Sequence, residues 1–325
     1  MGKITGEIVY GLKSQDKVNK ILSLFIVDEY EWDDLNIEMY DSSVQDLNNL
    51  LSGHSYKDFY RVDSSIFPDL VKDLKTGKSN YVTYVNGVAS EGLIPEKLSV
   101  LIKSSTSMSR TRKEVIATKL LNYFGLTTPY NFHINDKNKK AYPYIGSVDM
   151  ISENERFYSF YDLGIEFFES LPSMFKYLEE YFDEGKSSTN VMNVQVDLEK
   201  LKEELLLSYL VRQVLLFDAD FGNTNVGFLI NEKTNQVRFV NFDFELAFFT
   251  RIGAGTAELR RNMKFAMENY PKLYDDFITR VKEIKKVLDE VSIPSNNSKD
   301  LMIAEFVKQR LITVLNYHDN VIAKM

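Results

Sequence analysis

Residues 215–248 read LLFDADFGNTNVGFLINEKTNQVRFVNFDFELAF, and the fold is decided by how charge and apolar runs alternate in this stretch. Two β-prone runs, Val226 to Ile230 and Val237 to Phe242, flank the polar turn Asn231 to Gln236, which predicts a hairpin. Asp220 and Asn225 stand just before the first strand, and Asp243 stands at the end of the second. Antiparallel pairing brings the three side chains to one edge of the sheet.

Such a trio suits transfer of a phosphoryl group from a magnesium-bound nucleotide. Magnesium takes hard oxygen ligands and is held by one or two protein oxygens together with the substrate phosphates, so Asn225 and Asp243 are the expected metal pair. A further carboxylate must accept or orient the proton of the attacking hydroxyl; Asp220, five residues before Asn225, is the expected catalytic base. Asp218 and Asn223 repeat the same spacing as a rival frame. The Asp220 frame is preferred because Asn225 runs directly into the apolar strand VGFLI, which leaves Asp218 a structural part. A surface hairpin with Asp and Asn as mere turn formers is the plain alternative. Carboxylates set beside strongly apolar runs weigh against it.

The chain of 325 residues is long enough for two lobes, and its 44% apolar and 26% charged residues suit a folded protein with a sizeable core. There is no cysteine, which excludes disulfides, zinc-thiolate sites and thiol nucleophiles. The three histidines, His54, His133 and His318, are too scattered for a histidine metal cluster or triad. A formal charge of −8 argues against direct nucleic-acid binding and against anionic membranes. The opening MGKITGEIVYGL lacks the pattern of a secretory signal, and the apolar run Leu205 to Val211 is far too short to span a bilayer. A cytoplasmic location is the expectation.

Before Ser79, apolar spacing predicts short helices over Lys17 to Ile26, Val44 to Leu51 and Ser65 to Leu74, the last with Pro68 in its first turn. Strands are expected over Tyr81 to Val85 and Leu98 to Lys103, then a helix over Thr111 to Phe124 stopped by Gly125. Tyr142 to Ile151 stands where a hinge between lobes belongs. Helices follow over Phe167 to Phe182, Leu198 to Phe217, Lys264 to Val291 and Leu301 to Ala323, with RIGAGTAEL at Arg251 to Leu259 as a Gly-rich loop suited to facing substrate. The Leu198 to Phe217 helix is apolar nearly all round in its second half. The expected fold class is α+β: a two-lobed, protein-kinase-like fold with a small β-containing N-lobe and a mainly helical C-lobe. Residues 1–75 form an accessory segment, 76–145 the nucleotide-binding lobe and 146–325 the helical lobe.

Lys103 ends a strand, and Glu114 is expected in the first turn of the next helix. A nucleotide site needs a fixed cation for the α and β phosphates and a carboxylate to hold that cation, and this pair offers both. Gly77-Lys78-Ser79 is not a Walker A loop, since Lys72 stands where the pattern needs glycine. Gly77 in the loop Thr76 to Asn80 is still the preferred position for close backbone approach to phosphate, with Asn86 to Gly92 as the alternative loop.

The segments LIK ending at Lys103, KEVIATKLLNYFGL from Lys113, YIGSVDMI, DFGNTN at Asp220 to Asn225 and NFDFELAF around Asp243 resemble, in that order, the HipA-like Ser/Thr kinases of bacteria. The resemblance spans about residues 76–280. It implies ATP and Mg²⁺ as cofactors, Lys103 on the α and β phosphates, Glu114 paired with it, Asp220 as catalytic base, and Asn225 and Asp243 on magnesium. It also implies a protein substrate with a Ser/Thr acceptor, autophosphorylation, and a helix-turn-helix antitoxin as partner. The run SSTSMSRT at Ser104 to Thr111 is one place for autophosphorylation, a solvated loop the other reading. Asp218 and Gly222 beside the catalytic aspartate, and the lack of an easily read Gly-rich loop, depart from that family. The Asp220 and Asp243 motifs are also similar to those of aminoglycoside and choline phosphotransferases, although Asp218 stands where those enzymes carry histidine. A kinase-shaped pocket without turnover is the third reading.

Overall fold

The computed structural model describes residues 15–39, 57–76, 96–105, 107–136, 143–148, 155–183, 196–231, 233–234, 236–244, 246–248 and 256–322. Among the described residues, six strands lie between positions 29 and 148: β1 (Glu29–Glu31), β2 (Glu38–Met39), β3 (Lys57–Asp63), β4 (Lys97–Ser104), β5 (Tyr130–Asn135) and β6 (Tyr144–Val148). They form one sheet in the order β1-β5-β6-β4-β3-β2, antiparallel except for the parallel pair β1 and β5. Three helices accompany it, α1 (Gln15–Ser23), α2 (Pro68–Thr76) and α3 (Met108–Tyr123).

The second half is mainly helical, with α4 (Leu171–Asp183), α5 (Leu198–Ser208), α6 (Thr256–Asn269), α7 (Pro271–Glu290) and α8 (Ser298–Ile322). Set into it is a three-stranded antiparallel sheet, β7 (Glu155–Ser159), β8 (Val226–Asn231) and β9 (Val237–Asn241), with β8 in the middle. This is the α+β, two-lobed arrangement expected. Among the described residues no helix is long and apolar enough to cross a membrane.

Local chemistry explains where the helices begin. Ser107 accepts a hydrogen bond on its hydroxyl from the Arg110 N–H at 3.2 Å, so α3 starts at Met108, three residues ahead of the expected Thr111. Glu114 consequently sits in the second turn rather than the first. Pro68 opens α2, and its expected start at Ser65 is instead a short 3₁₀ turn, Ser64–Ile66. The single helix expected over Lys264 to Val291 is two, because Pro271 cannot donate the N–H that a continuous helix requires and so opens α7 instead. The segment expected to be a hinge holds β6, which pairs with both β4 and β5. The helix expected over Val44 to Leu51, the strand over Tyr81 to Val85, Gly77, and most of the Gly-rich loop after Arg251 lie outside the described residues.

Two cores result. The larger joins Val115, Ile116 and Leu120 of α3 to Leu205, Leu210 and Val281 of the helical half, so α3 packs across both halves. The smaller is aromatic and lies on the six-stranded sheet around Phe67, Tyr130 and Phe132. Within β8, a β-carbon at Gly227 would run into the Tyr158 carbonyl of β7, so only glycine lets β7 and β8 approach this closely.

One helical carboxylate is out of place. Burial pushes Glu204 on α5 up to about 7 from the ordinary 4.5. The folded chain therefore holds this proton more tightly than the unfolded chain. Its contribution is favourable at low pH, and stability falls as pH rises from about 4.5 towards 7. Glu204→Gln is expected to raise the melting temperature at pH 8, by roughly 1–3 kcal/mol of stability, and to flatten that decline. Thermal melts from pH 4 to pH 8 check it; equal slopes in both proteins would contradict the assignment.

Candidate active site

The strand that ends at Lys103 delivers its ammonium between two carboxylates. Lys103 Nζ lies 3.0 Å from Glu114 Oε1 on α3 and 3.3 Å from Asp243 Oδ1 just beyond β9. Lys103 and Glu114 are 12% and 4% exposed, so the pair is held away from water, while Asp243 is 33% exposed and faces outward. Two carboxylates share one cation, and Asp243 is the more accessible of them.

The hairpin forms with the expected pairing, Val226 opposite Asn241. Phe242 N–H donates to the Asn225 carbonyl at 3.2 Å, which sets Asn225 and Asp243 on neighbouring backbone. The Asn225 amide donates to the Asp220 carbonyl at 2.6 Å and to Asp220 Oδ2 at 3.0 Å. With both amide N–H groups engaged on Asp220, the oxygen of Asn225 is the atom left to face a cation. Asp220 itself is exposed, as a group that meets an incoming hydroxyl must be. Asp243 adopts a left-handed backbone (φ 53°), uncommon outside glycine, and this local strain lies at the site itself.

The rival aspartate has different surroundings. Asp218 is buried against Arg212, with Oδ2 2.6 Å from Nη2 and 2.8 Å from Nε, and its Oδ1 accepts the Asp220 N–H at 3.2 Å. Burial raises its carboxyl above the ordinary value, against the opposing pull of Arg212. Asn223 offers its main-chain carbonyl to the Tyr161 N–H at 3.0 Å.

Arg212 is the residue that sequence reasoning passed over. Its guanidinium donates to the carbonyls of Asn225 (2.9 Å), Phe242 (3.3 Å) and Asp243 (2.9 Å), besides the Asp218 carboxylate. It lies between the rings of Phe221 and Phe244, with ring centroids at 4.7 and 4.6 Å. The signal was present: one arginine inside the apolar run LLLSYLVRQVLLF had to find a carboxylate, and Asp218 follows six residues later. What the sequence hid was the winding. From Tyr209 to Leu216 the chain is a π-helix that ends at Phe217 in a left-handed conformation (φ 52°), and this turns Arg212 and Asp218 towards each other.

No family model matches the chain, and no curated protein matches it. Among solved structures it is similar to the crystal structure of CtkA, a Helicobacter pylori proinflammatory kinase. That likeness has 14% identity and a TM-score of 0.43, and covers 66% of this chain and 85% of the other.

Among the described residues no group of three or more histidine, aspartate or glutamate side chains could form a metal cage by itself. Magnesium does not need one, since a single carboxylate, an amide oxygen and the phosphates of a nucleotide meet its requirements. The partly exposed Asp243 carboxylate and the Asn225 oxygen fit that donor set, and Lys103 fits phosphate. Gly77 lies outside the described residues.

Proposed function

We propose that this chain is an ATP- and Mg²⁺-dependent phosphotransferase and, within that class, a Ser/Thr protein kinase of the HipA-like type. The observation that carries the reading is the buried strand lysine, Lys103, held at once by the helix carboxylate Glu114 and the hairpin carboxylate Asp243. A cation fixed by a buried partner and touching a more exposed carboxylate is the arrangement a nucleotide's phosphates and metal require. The narrower protein-kinase reading is supported by the order of the sequence motifs and by Asp218, which stands where small-molecule phosphotransferases carry histidine. A protein acceptor, autophosphorylation and a helix-turn-helix antitoxin belong to that narrower reading.

Bound magnesium ATP supplies the electrophilic γ-phosphoryl group. Asn225 and Asp243 would hold the metal, and Lys103 would bind the α and β phosphates. Asp220 orients the acceptor hydroxyl and takes its proton, while the Asn225 amide fixes the Asp220 carboxylate. Catalysis in this scheme is positioning and electrostatics rather than covalent chemistry.

The test is incubation with γ-labelled ATP and magnesium, alone and with a cell extract, followed by mass spectrometry. Lys103→Met, with circular dichroism as a check on folding, is expected to lower labelling about a hundredfold or more, mainly through weaker ATP binding. Label on the chain or on an extract protein supports a protein kinase. ATP turnover without protein label moves the assignment to a small-molecule acceptor, and absence of both ATP binding and turnover removes the reading altogether.

A further inference from the structure

The helix that carries Glu114 is fixed by a second buried charge cluster that nucleotide binding does not use. Arg112, two residues before Glu114, donates from Nε to Asp300 Oδ1 (2.7 Å) and from Nη2 to Asp300 Oδ2 (3.0 Å) in the first turn of α8. Its Nη1 donates to Glu29 Oε2 on β1 at 2.8 Å. Arg112 and Asp300 are 3% and 1% exposed. Asp300 is held from behind by the Ser295 hydroxyl at 3.0 Å. On the other side, the Asn135 amide donates to Glu29, the Asn135 oxygen lies 3.0 Å from His133 Nε2, and His133 Nδ1 lies 2.8 Å from the Thr111 hydroxyl of α3.

We infer that Arg112 is a positioning residue. Its simultaneous grip on Asp300 in the helical half and Glu29 in the sheet latches α3 in the register that keeps Glu114 on Lys103. This rests on the nucleotide reading of the Lys103 site only for its effect on turnover. Removing α3 from that register costs a bidentate buried ion pair, on top of single contacts such as Asn131 to Thr118 at 3.0 Å, Thr111 to His133 at 2.8 Å and the partly exposed Lys119 to Asp28 at 2.9 Å. Close packing in the large core also holds the helix, and the bidentate pair adds a directional restraint to it. With the latch in place Lys103 is divided between Glu114 and Asp243. Without it Lys103 is left on Asp243, where it competes with the metal.

Single removal of Arg112 would bury an unpaired carboxylate and confuse folding with function, so the informative protein is the double variant Arg112→Met with Asp300→Leu. Replacing both members of a buried pair by apolar groups of similar size commonly preserves stability. Two readouts are taken on the full chain. The first is the rate at which Lys103 is modified by an amine-specific acetylating reagent, mapped by mass spectrometry. Lys202, held by Glu179 and Glu199 in the helical half, serves as the internal reference. The expected result is acetylation of Lys103 about tenfold faster than in the wild type with Lys202 unchanged, because the Lys103 pair opens locally. The second is magnesium-dependent ATP turnover, expected to fall about tenfold or more through misplacement of Glu114 and Lys103.

A folded double variant with wild-type Lys103 reactivity overturns the inference. If the double variant fails to fold, Asp300→Asn, which keeps the shape and removes the charge, is judged by the same Lys103 criterion. Faster Lys103 labelling in a protein whose wild type shows no ATP turnover would support the latch and count against the nucleotide reading, so the two ideas fail separately.

Discussion

Asp243→Ala is expected to reduce magnesium-dependent phosphate transfer by at least about a thousandfold while leaving the chain folded. The two halves of that expectation come from different atoms of one residue. The Asp243 carboxylate is the more accessible of the two beside Lys103, and under the proposed function its loss removes a metal ligand. The main-chain carbonyl is what Arg212 holds, and alanine keeps it. The left-handed backbone at φ 53° costs alanine about 1 kcal/mol more than aspartate, too little to unfold the protein. Single-turnover transfer of labelled phosphate, with far-ultraviolet circular dichroism as a check on folding, measures both. A folded variant that retained activity within tenfold would remove Asp243 from the metal site. Asp220→Ala is expected to lose transfer on the same scale yet still bind ATP, because the role proposed for Asp220 is at the acceptor hydroxyl rather than at the nucleotide.

Arg212→Leu is expected to be strongly destabilising, at about 3–5 kcal/mol for leaving Asp218 buried without its arginine. Against a total stability of about 5–15 kcal/mol, that places much of the protein near unfolding. The companion Asp218→Leu is not expected to rescue it. In an ordinary buried pair, removing both charges removes the problem, as anticipated for Arg112 and Asp300. Arg212 also satisfies the carbonyls of Asn225, Phe242 and Asp243, and an apolar pair would leave these without the donor they now have. Urea denaturation of the single and double variants decides the matter; a double variant as stable as the wild type would show that the three carbonyls find other partners.

Much of this site was legible because its parts follow strong local rules. The β8-β9 hairpin is two apolar runs around a polar turn, and Lys103 ends a run of alternating burial. What escaped was hidden by residues whose partners are distant in sequence. Strand β5, YNFHIN, is buried on both faces, and its Asn131 and His133 look like loop residues until Ser147 and Thr111 are seen beside them. Strand β7, ERFYS, has meaning only against β8, more than sixty residues later. Nothing local in TRKEV reveals that Asp300 will meet Arg112. The break at Pro271 was readable from the proline alone, and the apolar periodicity on either side outweighed it.

The way Arg212 is used separates inheritance of shape from inheritance of chemistry. It grips the Asp220 loop and the β8-β9 hairpin through carbonyl oxygens, which every amino acid supplies, and through Asp218, which faces away from solvent. Under the proposed function, a descendant that stopped transferring phosphate would be free to change the side chains of Asp220 and Asp243 with little penalty to its folding, but it would be compelled to keep Arg212 and Asp218. In a set of relatives, the arginine therefore marks who shares the scaffold, and the two outward aspartates mark who still uses it.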